Sequence, residues 1–462
     1  MAQARTTAIR QLLDLPLSYT GLCFFRAWIT LLTGDLLPIG LNGPVHDTVL
    51  ATVLLPIALN ANKVVPLAWK RWSVTASLGC ALAAAILMVC AQAGWEPRLV
   101  LEVTGTACAA VASALYILMW CELYARFTPV VTALSIALAL VGGEVVLALL
   151  NGMIVSYRLG ALVVLPALSS AFLLRARSKV ADGQRPQRAS RHLRAPWELI
   201  VLVSLYSCAT GTCIGIVNER GGLFTGIANV AAGLGLIAAL VLFPQKFNLK
   251  SICQSPLVLL VPPLLLIPFA GGARGPLGAV SMAFSSVFFD LAIFLVICNI
   301  AQSQRLPAVF LFGLEEAISD LAGALGRSVG AAQSNLQWSA IASDAYITAC
   351  IAITIIATLT LFNSDALERR WGVGLFGPGR LVQKPNDTTL REACKRAVDL
   401  YGLTAREADV LLAVAQGKTI SEMQNELHIA RGTVKAHCEH IYTKVGVRSK
   451  RELRHALGVD GR

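Results

Sequence analysis

Charge is what this chain has least of. Asp, Glu, Lys and Arg make up 14% of its 462 residues, against about 25% in soluble globular domains. Apolar residues reach 56%. So little charge cannot clothe a water-soluble surface of this size, and most of the chain is expected to lie in lipid. Acidic residues are scarcer than basic ones, 27 against 39, which leaves a formal net charge of +12. The basic excess gathers in loops, in a central linker and near the C-terminus. It points to an anionic partner, either lipid headgroups or nucleic acid. Paired cysteines are missing too: the 12 cysteines are scattered singly, Cys80, Cys90, Cys108, Cys298 and Cys350 inside apolar runs, and no CxxC or Cys/His spacing suits zinc. They read as reduced thiols packed as small hydrophobes, and Cys208 and Cys213 stand too isolated for a metal. No Gly-rich phosphate cradle, nucleophile elbow or metal motif occurs. These absences argue against an enzyme and against a bound cofactor. The opening stretch "MAQARTTAIRQLLDLP" is polar and lacks the apolar core and small-residue cleavage site of a secretory leader, so the first span is expected to remain as an anchor.

What is present is a series of apolar runs near the ~20 residues that a bilayer core demands. They read as twelve spans, at about 21–41, 48–69, 73–94, 99–121, 129–150, 154–174, 197–217, 223–243, 254–271, 277–300, 308–330 and 339–362. Lys and Arg favour one set of loops. Arg5, Arg10, Lys63, Lys70, Arg71, Arg126, the 175–196 linker, Lys246, Lys250, Arg305, Arg369 and Arg370 fall on it, against Arg98, Arg158, Arg220 and Arg274 on the other. The positive-inside rule then predicts a multi-pass protein of the inner, cytoplasmic membrane with both termini in the cytoplasm.

Six runs (21–174), the basic linker "RARSKVADGQRPQRASRHLRAP" at 175–196, and six more runs (197–362) form a layout that resembles the major facilitator superfamily. The resemblance implies an all-α bundle of two six-helix halves with a binding cavity between them near the bilayer midplane. One stretch departs from it. That superfamily usually carries a Gly-x-x-x-Asp-Arg-type loop between spans two and three, whereas this chain has "NANKVVPLAWKRW", basic but without an acid or a glycine. The departure counts against active transport, not against the fold. The linker is also explained as a solvated loop resting on anionic lipid.

Charges inside apolar spans are costly, so each is a candidate ligand-binding residue. Arg26 and Asp35 lie in the first span, Glu144 in the fifth, Asp290 in the tenth, and Glu315, Glu316, Asp320 and Arg327 in the eleventh. The four- and seven-residue separations of Glu316, Asp320 and Arg327 put them on one helical stripe, expected to face the bundle interior. Interhelical ion pairing without a ligand explains any one of these residues equally well. Glu96, Arg98, Glu102 and Glu122 sit near span ends and read as snorkelling to the interface.

Beyond residue 362 the composition changes. Residues 363–389 are rich in Gly, Pro and polar side chains and would reach on the order of 30 Å as a flexible tether. From 390 to 462 the apolar spacing becomes that of short amphipathic helices. Thr404 with Glu407, Thr419 with Glu422, and Ser449 with Glu452 are capping boxes, and Gly417, Gly446 and Gly458 stand where helices should stop. Four helices are predicted at about 405–416, 420–428, 431–445 and 450–457. Val410, Leu411, Val414, Ile420, Met423, Leu427, Val434, Ile441, Val445, Leu453 and Leu457 face inward. The turn "HIAR" between the second and third gives helix-turn-helix spacing.

The string "LTAREADVLLAVAQGKTISEMQNELHIARGTVKAHCEHIYTKVGVRSKREL" at 403–453 resembles the LuxR-type DNA-binding domain of bacterial transcription regulators over its whole length. The resemblance implies that the third of these helices enters the major groove, with Lys435 and Ala436 reading bases. Chemistry agrees: Lys435 can donate to guanine and Ala436 can approach a thymine methyl. Arg431, Thr433, Lys444, Arg448 and Lys450 are placed to meet phosphates. Two positions depart from the family. Ala430 stands where Ser or Thr often caps the third helix, at a cost of up to about 1 kcal/mol. Glu439 stands where Lys is common; it would repel phosphate and could accept from cytosine N4. Family members commonly pair through the last helix, here 449–457, which implies a homodimer on double-stranded promoter DNA with half-sites about one turn apart. The histidines His428, His437, His440 and His455 read as surface or packing residues.

The expectation is a one-component, membrane-embedded transcription regulator whose bundle senses a small molecule or envelope signal. The alternative is a facilitator-type secondary transporter with a regulatory DNA-binding appendage.

Overall fold

The computed structural model describes residues 15–32, 39–180, 193–217, 222–242, 276–304, 306–336, 401–415, 420–427 and 429–445, with isolated positions between them. Most of these residues are helical, and no strand occurs among them. The chain divides into two compact units, Met1–Pro378 and Gly379–Arg462.

In the first unit the apolar runs become helices α1 (Leu22–Leu31), α2 (Ile39–Leu59), α3 (Arg71–Gln92), α4 (Arg98–Tyr124), α5 (Pro129–Asn151), α6 (Val155–Arg177), α7 (Trp197–Val217), α8 (Gly222–Leu242), α9 (Pro276–Gln304) and α10 (Ala308–Asn335). Among the described residues five helices, α3 to α6 and α9, are long and apolar enough to cross a membrane, or six if the bent pair Val45–Leu59 and Ala61–Trp69 is one span. Trp197–Thr212 and Gly226–Leu242 are apolar but shorter. The expected span at 254–271 lies outside the described residues, as does much of 339–362.

The second span departs from its sequence-based placement at 48–69. Its helix begins at Ile39 and ends at Leu59, and the chain then turns by 78° into residues 61–69. Asn60 leaves the helix, its side-chain amide donating to the Pro56 carbonyl at 3.0 Å, a local bond that competes with helix continuation. The earlier start brings His46 and Asp47 into the helix. The apolar count stopped short of both.

Lipid solvates apolar side chains as well as the bundle core does, so close packing and internal hydrogen bonds must hold helices together. The first half shows both. Trp28, Tyr116, Trp120 and Tyr124 are fully buried. Trp120 Nε1 donates to Ser169 Oγ at 3.1 Å, Tyr116 Oη meets Ser170 Oγ at 2.7 Å, and Tyr124 Oη donates to the Tyr19 carbonyl at 2.7 Å. The second half relies on bare backbone: α7 and α10 cross so closely that a Cβ added to Gly211 would stand 2.3 Å from the Gly323 carbonyl oxygen, and one on Gly326 2.1 Å from that of Cys208. The two halves meet where α2 packs on α10 and α5 on α8.

The second unit contains α11 (Ala405–Ala415), α12 (Ile420–Leu427) and α13 (Arg431–Val445). Its core joins Val410, Leu411, Val414, Met423, Val434, Ile441 and Leu453. Each large aliphatic buried there contributes about 1.5–3 kcal/mol. Cys394 and Ala397 join this core.

Candidate functional site

Helix α13 separates its residues sharply. Val434, Cys438 and Ile441 are buried, while Arg431, Thr433, Lys435, Ala436, Glu439 and His440 are exposed. The buried positions recur at four and three residues, so the helix turns one apolar stripe to the core and leaves a continuous polar face outside. Lys435 and Ala436 sit adjacent on that face within the first two turns, the part that a recognition helix presents to base edges. Ala430 is exposed and supplies no side-chain cap; its carbonyl accepts from Val434 N at 3.0 Å. Arg448 and Lys450 lie outside the described residues, as does most of the pairing segment 449–457. Leu453 of that segment is helical and buried.

Lys444, an expected phosphate contact, also has a partner within the domain. Its Nζ lies 2.7 Å from Glu407 Oε2 and 3.4 Å from the Gly402 carbonyl, and its side chain is 36% exposed. Glu407 is itself the acidic member of the first capping box. Its Oε2 accepts from Thr404 N at 2.7 Å and from Thr404 Oγ1 at 2.9 Å, while Glu407 N donates to Thr404 Oγ1 at 3.3 Å. The hydrogen bond from Lys444 and the Thr404 backbone N–H hold this carboxyl down at about 2. Lys444 therefore ties the end of α13 to the start of α11, fixing the angle at which the polar face is presented. Sequence spacing shows which residues share a helix face; it does not show that two residues this far apart in the chain meet. The other two capping boxes fall partly outside the described residues.

In the membrane unit, several candidate charges converge across the two halves. Arg26 Nη2 on α1 donates to Asn229 Oδ1 on α8 at 3.2 Å, and Asn229 Nδ2 donates to Glu144 Oε1 on α5 at 2.7 Å. The guanidinium also interacts electrostatically with Glu144 and with Asp290 on α9. A Cβ on Gly226 of α8 would meet Glu144 Oε2 at 2.9 Å, so that glycine makes room for the carboxylate. Arg327 on α10 pairs with Asp47 on α2, and His46 Nδ1 lies 3.2 Å from Asp47 Oδ1. Arg327 is thus part of an interhelical ion pair. Glu316 and Asp320 share its helix and lie in electrostatic reach of Asp290. Asp35 lies outside the described residues. Asn229, His46 and Asp47 were not anticipated from the sequence. A search for amides as well as charges would have found Asn229, and starting the second span at residue 39 would have found the other two.

Two near-terminal acids are corrected: Glu102 is 7% exposed and accepts from Arg98 Nε at 2.7 Å. Glu122 does not snorkel: it is 0% exposed, and its Oε2 accepts from Ala68 N at 2.7 Å, while Arg177 Nη1 donates to the Ala68 carbonyl at 2.6 Å. The bent stretch 61–69 lacks an acid of its own, and α4 supplies one.

Comparison with known proteins agrees with this division. Residues 402–457 match the family of bacterial regulatory proteins, luxR family. An Escherichia coli (strain K12) protein described as an HTH-type transcriptional regulator, YhjB, is 34% identical over 61 residues, 13% of this chain and 30% of its own. The response regulator protein VraR of Staphylococcus epidermidis is 31% identical over 109 residues, 23% of this chain and 46% of its own. The chain thus spans less than half the length of the curated relatives it matches. The crystal structure of the human organic anion transporter MFSD10 (TETRAN) superposes with a TM-score of 0.51 at 13% identity, covering 76% of this chain and 99% of that one. At that identity the likeness speaks for the fold alone. The chain therefore carries a C-terminal LuxR-type helix-turn-helix domain and, before it, an all-α membrane region with a facilitator-like fold. Such a domain implies transcription regulation, and such a region a multi-pass membrane protein.

Proposed function

We propose that this protein is a one-component transcription regulator of the cytoplasmic membrane, in which the bundle receives a small-molecule or envelope signal and the C-terminal domain binds promoter DNA. The observation that carries the reading is the exposed face of α13, with Lys435 and Ala436 at its groove-entering end, in one chain with a bundle whose two halves share a partly buried polar network. Lys435 reads bases; Arg431 and Thr433 meet phosphates and fix register. Glu439 faces the same side and discriminates by accepting from cytosine. Arg448 and Lys450 complete the phosphate set, and two copies pair through 449–457 on symmetric half-sites. Both termini are cytoplasmic, as the distribution of Lys and Arg requires. Arg26, Asp35, Glu144, Asp290, Glu316, Asp320 and Arg327 belong to the ligand site, a reading supported by the hydrogen bonds that join Arg26, Asn229 and Glu144 between the halves.

Two measurements test it. Binding of the purified full chain to genomic fragments should be sequence-selective and fall steeply with salt; no selectivity at physiological ionic strength, or no binding even at low ionic strength, refutes DNA recognition. A promoter reporter should change its response when residues 1–362 are removed, and an unchanged response reduces the bundle to an anchor. The runner-up, a secondary transporter with a regulatory appendage, draws on the Asp47–Arg327 pair joining α2 to α10 across the halves. Substrate accumulation in proteoliposomes decides for it.

A further inference from the structure

Cations crowd one corner of the membrane unit, where the turn at 61–69 leads into the start of α3 and packs on α4 and the end of α6. Lys70 Nζ donates to the Lys63 carbonyl at 3.0 Å, and Arg177 Nη1 on α6 donates to the Ala68 carbonyl at 2.6 Å. Arg71 opens α3 beside them, and its guanidinium is close enough to that of Arg177 for the two to repel. Lys63 and Arg71 are exposed, Lys70 and Arg177 partly so. No Asp or Glu occurs from 60 to 80 or from 161 to 180. The acid that reaches this turn is Glu122, which is 0% exposed and has its Oε2 committed to Ala68 N at 2.7 Å. Four cations beside one sealed carboxylate leave the outer side of the corner positive.

Apolar surface adjoins that charge. Trp72 is 50% exposed, and Leu174, one turn before Arg177, is 40% exposed. Trp72, Thr75 and Gly79 stand exposed along one face of α3, and a Cβ added to Gly79 would meet nothing within 4 Å. An indole beside basic residues at the end of a span marks the level where headgroups give way to acyl chains. Guanidinium forks match the oxygens of a phosphate. Free phosphate or a DNA backbone would use the cations and leave Trp72 and Leu174 idle, whereas a phospholipid uses both.

We propose that this corner binds an anionic phospholipid, its phosphate held by Arg71, Arg177 and Lys70 and an acyl chain lying along Trp72, Thr75 and Gly79 on α3. The positive field selects lipids with net negative charge over zwitterionic ones.

The test uses the full chain in detergent micelles and phospholipids with brominated acyl chains, which quench an indole on contact. The quenching that disappears in Trp72→Phe is the share this site reports. Brominated phosphatidylglycerol should reach half of that share at a mole fraction at least about tenfold below that of brominated phosphatidylcholine. Arg71→Gln should cut this preference about fivefold, the contribution of one basic residue at an anionic surface. Arg71→Gln/Arg177→Gln should bring the two lipids to near parity, and Arg71→Lys/Arg177→Lys should keep most of the preference. Because Arg177 also holds the Ala68 carbonyl, the single Arg71 variant decides if the double one no longer elutes as monodisperse protein. Equal quenching by the two lipids, no Trp72-dependent quenching, or full preference in Arg71→Gln overturns the inference. So does complete loss of the preference to inorganic phosphate, or to a random DNA duplex, at an ionic strength where sodium chloride preserves it, because the corner would then take phosphate without a lipid. The assay contains no promoter, so its outcome is separate from that of the DNA-binding test.

Discussion

The membrane unit and the C-terminal unit solve the same problem in opposite solvents. In the C-terminal unit, apolar stripes such as Val434 and Ile441 turn inward and charges such as Arg431 and Lys435 stand in water. In the bundle, Ile86, Leu149 and Val164 face outward, whereas Arg26, Glu144 and Asn229 are drawn together inside. The lesson is that one residue type carries opposite meanings. An exposed lysine on α13 is available to a partner at little cost, while an arginine in the bundle persists only because other helices supply its acceptors. Stability differs in kind as well. The tail gains from expelling apolar surface from water, and the bundle from backbone contact and internal hydrogen bonding.

Substitutions can break or sharpen that contrast. The largest effect should come from Gly326→Leu, whose side chain has no space beside the Cys208 carbonyl: the monodisperse peak of the full chain in detergent should be lost, while DNA binding by the tail persists. Lys435→Ala should cost about 1–3 kcal/mol in DNA affinity and relax sequence preference at one position. Arg431→Ala should instead weaken all sequences alike and reduce the salt slope by about one. Quantitative footprinting over a salt series separates the two.

Lys444→Met removes the partner of Glu407 and should destabilise the tail by about 1–2 kcal/mol, less than a wholly buried pair because the lysine is partly exposed. Calorimetry should show its melting point falling by roughly 5–10 °C. The same carboxyl sets an acid limit. Its pKa is lowered in the folded state to about 2 from 4.5, so its contribution is whole above about pH 4.5 and is lost as pH falls towards 2. Glu407→Gln should flatten the stability profile in that window only. The smallest change is Ala430→Ser, which should add about 0.5–1 kcal/mol by capping α13.

The ends of α11 show how much was legible. Thr404 and Glu407 announced its start, and the structure forms their reciprocal bonds. Of the inward face expected at Val434, Ile441 and Val445, the first two are buried and Val445 is partly so, while the third buried position, Cys438, was not expected. Long-range encounters were not legible. Nothing near Asp47 names Arg327, nothing near Lys444 names Glu407, and the bend after Leu59 depends on Asn60 bonding back to Pro56. Glu122 sits near a span end where snorkelling is the common outcome, yet a peptide N–H from the bent segment captured it.

Composition and periodicity by themselves determined that this chain lives mostly in lipid, that its tail is a small helical module, and which face of α13 is polar; that the module resembles a groove reader came from the LuxR-type string at 403–453. Those properties are local, because helix spacing and solvent preference are written within a few turns. Only the tertiary structure decided which buried charges neutralise one another and which lysine also serves the fold. Such pairings join residues distant in sequence, and their energies depend on distance and burial that arise when the helices pack.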